Sequence, residues 1–236
     1  MTDIHSHLLY NIDDGSHSVE ESVELLIKLK EIGFNNVILT PHYIQDSEYS
    51  ADNKEKKEKF EYLKETLNLN KIDINIFLGN EIFYNNNIVE LVKTGYITPL
   101  NNTNYLLIEL PFHNKILNLE DMLYEIKCKG YIPIIAHPER YTYFHDNYDL
   151  VDKLKEEDIL FQCNYASIIG YYGKDSEKLF RYMLKNGYVD YLGTDLHSLN
   201  KTIVIDKFKK IEKEIRKVAG KEYYQEIQDN CDLLVE

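Results

Sequence analysis

In this chain nearly every run with β-strand character ends in a histidine or a carboxylate, and few folds collect strand ends in one place. The first run closes with Asp3-Ile4-His5-Ser6-His7, and Asp13-Asp14-Gly15 follows it. Alternation along an extended strand sets residues i and i+2 on one face, so His5 and His7 aim at a common point. Neutral imidazole is the commonest metal-ligating side chain, and the pair offers two ligands for one ion.

The same ending recurs down the chain. Seven strand candidates lie near residues 1–5, 37–41, 72–78, 105–109, 132–136, 159–163 and 188–192, each followed by a helical pattern. The first helix carries a capping box, Ser18-x-x-Glu21, an apolar stripe of Val19, Val23, Leu26 and Ile27, and a stop at Gly33. Further helices are expected over 53–67, 88–93, 119–129, 149–156, 177–185, 204–218 and 222–228. The lysine and glutamate run of 53–67 reads as a solvated face, with Phe60, Leu63 and Leu67 turned inward. Strand-helix alternation predicts an α/β fold on a parallel sheet, open or closed. Polar groups gathered at C-terminal strand ends favour closure into a barrel of seven strands, and no glycine-rich phosphate loop supports the open, dinucleotide-binding form.

Length and charge bound what such a fold does. At 236 residues, without a linker, low-complexity tract or fixed-period repeat, the chain reads as a single domain spanning 1–236. It lacks an apolar run long enough for a membrane span and the pattern of a signal peptide, so a cytoplasmic protein is expected. Three widely spaced cysteines, Cys128, Cys163 and Cys231, form no disulfide framework. A formal net charge of −13 argues against a nucleic-acid partner.

At or just after the strand ends stand His5, His7, Asp14, His42, Glu81, Glu109, His137, Asp195 and His197, with only the sixth strand contributing none. Imidazole and carboxylate without thiolate suit Mn²⁺, Fe²⁺ or Zn²⁺. Nine donors exceed the needs of one ion and suffice for two or three. Three divalent ions would outweigh the four carboxylates and let an acidic protein hold an anionic substrate. Singly, each piece has a plainer explanation: an Asx turn at Asp13-Asp14-Gly15, surface carboxylates at Glu81 and Glu109, a strand exit at His137-Pro138. His17, His113 and His145 fall outside the pattern and read as loop histidines.

Taken in order, Asp3-Ile4-His5-Ser6-His7, Asp13-Asp14-Gly15, Thr40-Pro41-His42, Glu81, Leu107-Ile108-Glu109, His137-Pro138-Glu139-Arg140-Tyr141 and Thr194-Asp195-Leu196-His197 resemble a known family. They are similar to the bacterial manganese-dependent protein tyrosine phosphatases of the CpsB/YwqE type, within the polymerase and histidinol phosphatase (PHP) superfamily. The resemblance implies a distorted seven-stranded (β/α)7 barrel of PHP type with a trinuclear centre, three divalent ions that are most simply Mn²⁺. It implies that the nine strand-end groups are the ligands and that Arg140 contacts phosphate. It also implies a phosphotyrosine protein as substrate, a tyrosine kinase controlling capsule or exopolysaccharide assembly. Some members carry an arginine a few residues past the Asp-x-His motif, where this chain has Lys201.

The chemistry expected is in-line attack on phosphorus by metal-activated water, with Asp14 and Glu109 the candidate proton carriers and Arg140 cradling the phosphoryl oxygens. None of the three cysteines has an arginine six positions later, so a cysteine nucleophile of the usual phosphatase kind is excluded. Two alternatives stand beside this one. One is a phosphoesterase on the same scaffold with a small substrate such as histidinol phosphate, or a nuclease. The other is a regulator that holds metal without turnover.

Overall fold

In the computed structural model, which describes residues 1–236, the expected alternation is present and every strand pairing is parallel. Strand β1 (Thr2–Ser6) leads to α1 (Val19–Glu31), capped where Ser18 accepts from the Glu21 amide at 3.1 Å. The reciprocal arm of the capping box differs from expectation, because Glu21 accepts from the His17 amide. The second and third strand candidates are each broken in two. β2 (Asn36–Leu39) resumes as β3 (His42–Tyr43), and after α2 (Asn53–Leu69), β4 (Asn75–Leu78) resumes as β5 (Glu81–Phe83). Ile72 and Ile74, which alternate as a strand would, lie before β4 begins.

The remaining units are α3 (Ile88–Lys93), β6 (Tyr105–Glu109), α4 (Leu119–Cys128), β7 (Ile132–Ala136), α5 (Thr142–His145), α6 (Asp149–Glu156), β8 (Leu160–Asn164), α7 (Lys174–Lys185) and β9 (Tyr191–Gly193). The single terminal helix expected over 204–218 is two, α8 (Ile203–Asp206) and α9 (Phe208–Ala219), followed by α10 (Lys221–Leu233).

Because two strands break, the sheet forms two ladders, β1-β2-β4 and β3-β5-β6-β7-β8-β9. Beyond β9 the chain returns to β1: Ser6 and Leu196 form a parallel bridge, the Asp195 amide donates to His5 O, and the His7 amide donates to Leu196 O, both at 2.9 Å. Asp3 reinforces that junction by accepting from the Thr194 amide at 2.8 Å and from its hydroxyl.

Period-2 alternation decides what each strand shows to the two sides. On β6, Leu106 and Ile108 pack into the main core shared with the helices, whereas Leu107 joins a smaller cluster and Glu109 lines the main cavity. On β8, Phe161 and Cys163 enter the main core and the buried amides Gln162 and Asn164 take the other face. The smaller cluster brings Ile4, Ile38, Leu107, Ile134 and Tyr191 together with Cys231 and Leu234 from the C-terminal end. Residues from both ends of the chain thus complete one interior.

Candidate metal centre

The strand ends deliver their side chains into a cavity of about 540 Å³ lined by Asp14, His42, Glu81, Glu109, His137, Arg140, Asp195 and His197, among others. His5 and His7 lie fully buried behind it. All nine expected ligand residues therefore meet in one place, and His17, His113 and His145 do not join them. His145 is spent elsewhere, with its Nε2 2.7 Å from Glu139 O.

Backbone geometry turns two of these groups inward. His137 follows β7 with φ 32° and Asp195 follows β9 with φ 53°. Both occupy the left-handed region that non-glycine residues seldom adopt, a strain maintained where a site requires it. Two glycines permit the close approach. A Cβ on Gly15 would run into His7 O, and one on Gly193 would stand 2.6 Å from His5 Cβ. No side chain fits at either position.

The hydrogen bonds fix the tautomers. His5 Nδ1 lies 2.7 Å from Gln162 Oε1 and His7 Nδ1 lies 2.7 Å from Asp13 Oδ2. Both partners are acceptors, so each Nδ1 donates and each Nε2 faces inward, where it can exchange its proton for an ion. Those Nε2 atoms sit 3.2 Å apart, each 3.2 Å from Glu81 Oε2 and within 3.7 Å of Asp195 Oδ1. Lone pairs and carboxylate oxygens crowd one spot that only positive charge can reconcile.

Three groups of donors lie close enough to share ions: His5 with His7 and Glu81; His42 with Glu81 and Glu109; and His7 with Asp14, His42 and His197. His137 Nε2 reaches Glu81 Oε1 at 2.7 Å, adjoining the second group. Glu81 touches His5, His7, His42 and His137, which places it at the centre.

Electrostatics follow from this crowding. Burial opposes ionisation of Glu81, yet His5 and His42 hold it well below the usual carboxylate range, and His5 and His7 do the same for Asp195 despite its burial. Burial together with the charge of Glu81 pushes Glu109 up to about 9, so the two neighbouring glutamates do not both ionise readily. Burial opposes charge on His5 as well, but Glu81 and Asp195 raise its affinity for it. By contrast His137 is pushed down to about 4 by burial and Arg140, and His197 to about 4 by burial and His7. Those two rings are neutral at pH 7 and fit to ligate. His42 Nδ1 and His137 Nδ1 are buried without a hydrogen-bond partner, and the donors are nitrogen and oxygen throughout; the cavity is lined by no cysteine. The residues present fit a cluster of hard or borderline divalent cations.

Arg140 stands at the edge of this cluster. Its Nη1 donates to Asp195 Oδ2 at 2.8 Å, and its guanidinium lies 4.7 Å from the Phe112 ring centre and 4.5 Å from that of Tyr172. Asp195 divides its oxygens, Oδ1 toward the histidines and Oδ2 toward Arg140 and the Asn164 amide at 2.7 Å. Sequence reasoning missed Gln162 and Asn164 because β8 ends in no ligand; two amides alternating on an otherwise apolar strand were the available signal. The Asx turn expected at Asp13 is present, its carboxylate accepting from the Gly15 amide, but sequence reasoning missed that Asp13 also receives His7 Nδ1 and the His42 amide. Phe112 and Tyr172 carry no sequence signal for their place beside Arg140.

Comparison with known proteins identifies the family. The family model for capsular polysaccharide synthesis, CpsB/CapC, matches residues 1–236. CapC of Staphylococcus aureus is 34% identical over 199 residues, covering 84% of this chain and 78% of that protein. Tyrosine-protein phosphatase CpsB of Streptococcus pneumoniae is 30% identical over 205 residues, covering 85% of this chain and 84% of that protein. Among solved structures, work on YwqE from Bacillus subtilis and CpsB from Streptococcus pneumoniae, described as unique metal-dependent tyrosine phosphatases, supplies a chain with TM-score 0.92. It is 27% identical and covers 100% of this chain and 94% of that one. With a family model matching from first residue to last, the chain belongs to the CpsB/CapC family of capsular polysaccharide synthesis.

Proposed function

We propose that this protein is a metal-dependent phosphatase acting on phosphotyrosine in proteins, with a tyrosine kinase of capsule or exopolysaccharide synthesis as its substrate. The observation that carries the reading is the convergence of the inward-facing His5 and His7 nitrogens with Glu81 and Asp195 beside Arg140. The relatives' names, tyrosine-protein phosphatases, point the same way. Counting β2/β3 and β4/β5 as one strand each gives seven β/α units, joined through Ser6 and Leu196, and we read the architecture as a distorted (β/α)7 barrel of PHP type forming one domain. Three free cysteines, two of them buried, suit the cytoplasm as its compartment.

In this reading His5, His7, Asp14, His42, Glu81, Glu109, His137, Asp195 and His197 hold three divalent ions, most simply Mn²⁺, with Fe²⁺ or Zn²⁺ suited to the same donors. Such ions supply Lewis acidity and make water nucleophilic at neutral pH. Gln162 and Asp13 lock His5 and His7 with Nε2 facing inward. Arg140, its faces covered by Phe112 and Tyr172, offers the rest of its N–H edge to phosphoryl oxygens. Glu109 and Asp14 line the cavity and would carry protons only before an ion takes their oxygens, since a carboxylate that ligates a cation has given its proton up. A phenolate leaving group, of parent pKa about 10, asks little of a general acid.

The test is turnover by the purified protein with Mn²⁺ on a phosphotyrosine peptide, histidinol phosphate and single-stranded DNA. Phosphate release from the peptide is expected. Turnover of either other substrate with none of the peptide overturns the reading.

A further inference from the structure

Besides the strand-end groups, the cavity is lined by residues of the segment after β8 and of α8: Ala166, Tyr171, Ile203 and Val204, with the charged Lys201 among them. An aromatic path leads outward from the arginine. Tyr172 covers one face of Arg140 at 4.5 Å, and the Tyr171 ring meets Tyr172 edge-on at 4.9 Å. Tyr171 is itself 46% exposed, a large aromatic left uncovered at the opening of an anion-binding cavity. The volume, about 540 Å³, lies in the range of clefts that enclose whole organic ligands and exceeds what a phosphate group alone fills.

We propose that Tyr171 and Ile203, over the buried Val204, form an aryl-binding wall that receives the substrate's phenyl ring while Arg140 and the strand-end groups take its phosphoryl group. This rests on the phosphatase reading and deepens it by naming residues that select aryl over alkyl phosphomonoesters. Aromatic rings bury much apolar area and favour edge-to-face contact with one another, so a tyrosyl ring gains from this wall what a seryl methylene cannot. Adjacency supports the pairing: a phosphoryl group held at Arg140 has Tyr172 beside it and Tyr171 next in contact with Tyr172.

Two non-hydrolysable ligands test it, phenylphosphonate and methylphosphonate, titrated calorimetrically into the Mn²⁺-loaded protein. The wild type is expected to prefer the phenyl compound at least tenfold. In the Tyr171→Ser, Ile203→Ser double variant the preference falls below threefold. Tyr171→Ser alone, at an exposed position that leaves folding intact, lowers it part of the way. On phosphotyrosine peptide both variants raise KM more than they lower kcat. Hydrolysis of the peptide by the wild type with the same phenyl preference in all three proteins overturns the wall and leaves the phosphatase reading standing. No hydrolysis by the wild type overturns both.

Discussion

His5 Nε2 and His7 Nε2 face each other across 3.2 Å, each turned inward by a hydrogen bond on the far side of the ring. Gln162 enforces this at His5, and removing it frees the ring to rotate or change tautomer. Gln162→Leu is therefore expected to weaken Mn²⁺ binding about 10–100-fold, the usual cost of losing a group that orients a metal-ligating histidine. Competition with a chelator of known affinity measures it. Affinity unchanged in a folded variant contradicts the assigned tautomer.

Arg140→Lys keeps the charge and loses the fork. Lysine presents a point charge and does not stack between Phe112 and Tyr172 as a planar guanidinium does. A fall of about 10²-fold in kcat/KM on phosphotyrosine peptide is expected, typical of losing one oriented donor to a developing charge. Steady-state kinetics decide, and a loss below threefold contradicts a phosphate-gripping role.

Lys56 provides a pH test through a group that is not itself a candidate ligand, although its partner Asn80 adjoins Glu81. Its ammonium is buried, donating to Asn80 Oδ1 at 2.6 Å and Tyr96 O at 2.7 Å, while Asn80 in turn donates to Pro41 O beside the break between β2 and β3. Burial pushes Lys56 down to about 7 from 10.5. Between those values the unfolded chain binds a proton that the folded chain does not, so stability rises with pH across the window and the penalty is complete below it. Relative to Lys56→Met, the wild type should gain stability from pH 7 to pH 10 in urea unfolding. A constant difference contradicts a depressed lysine.

Deleting residues 1–7 removes β1, two candidate ligands and the Ser6–Leu196 bridge together. The shortened chain is expected to lose both cooperative thermal unfolding and stoichiometric metal. A truncated protein that melts cooperatively and carries full metal contradicts the placement of β1 at the heart of the fold.

The site was more legible in the sequence than the sheet. Ligand positions follow from local rules: His5 and His7 share a face because strands alternate, and Glu109 closes β6 as the apolar run predicts. What depends on tertiary geometry was hidden. Pro41 and Gly79 mark the ends of those runs locally, but nothing local says that each strand resumes just beyond, at His42 and Glu81, or that Ile72 and Ile74 precede β4. The division at Lys207 between α8 and α9 was equally unannounced, since the apolar stripe runs through it. The orienting roles of Gln162 and Asp13 went unassigned because a residue that orients a ligand from behind leaves no spacing rule in the sequence.

Elemental analysis of protein purified under Mn²⁺-replete conditions, beside His5→Ala, tests the metal cluster itself. About three divalent ions per wild-type chain are expected, as the donor set allows, and at least one fewer in the variant. A wild-type protein without stoichiometric metal contradicts it.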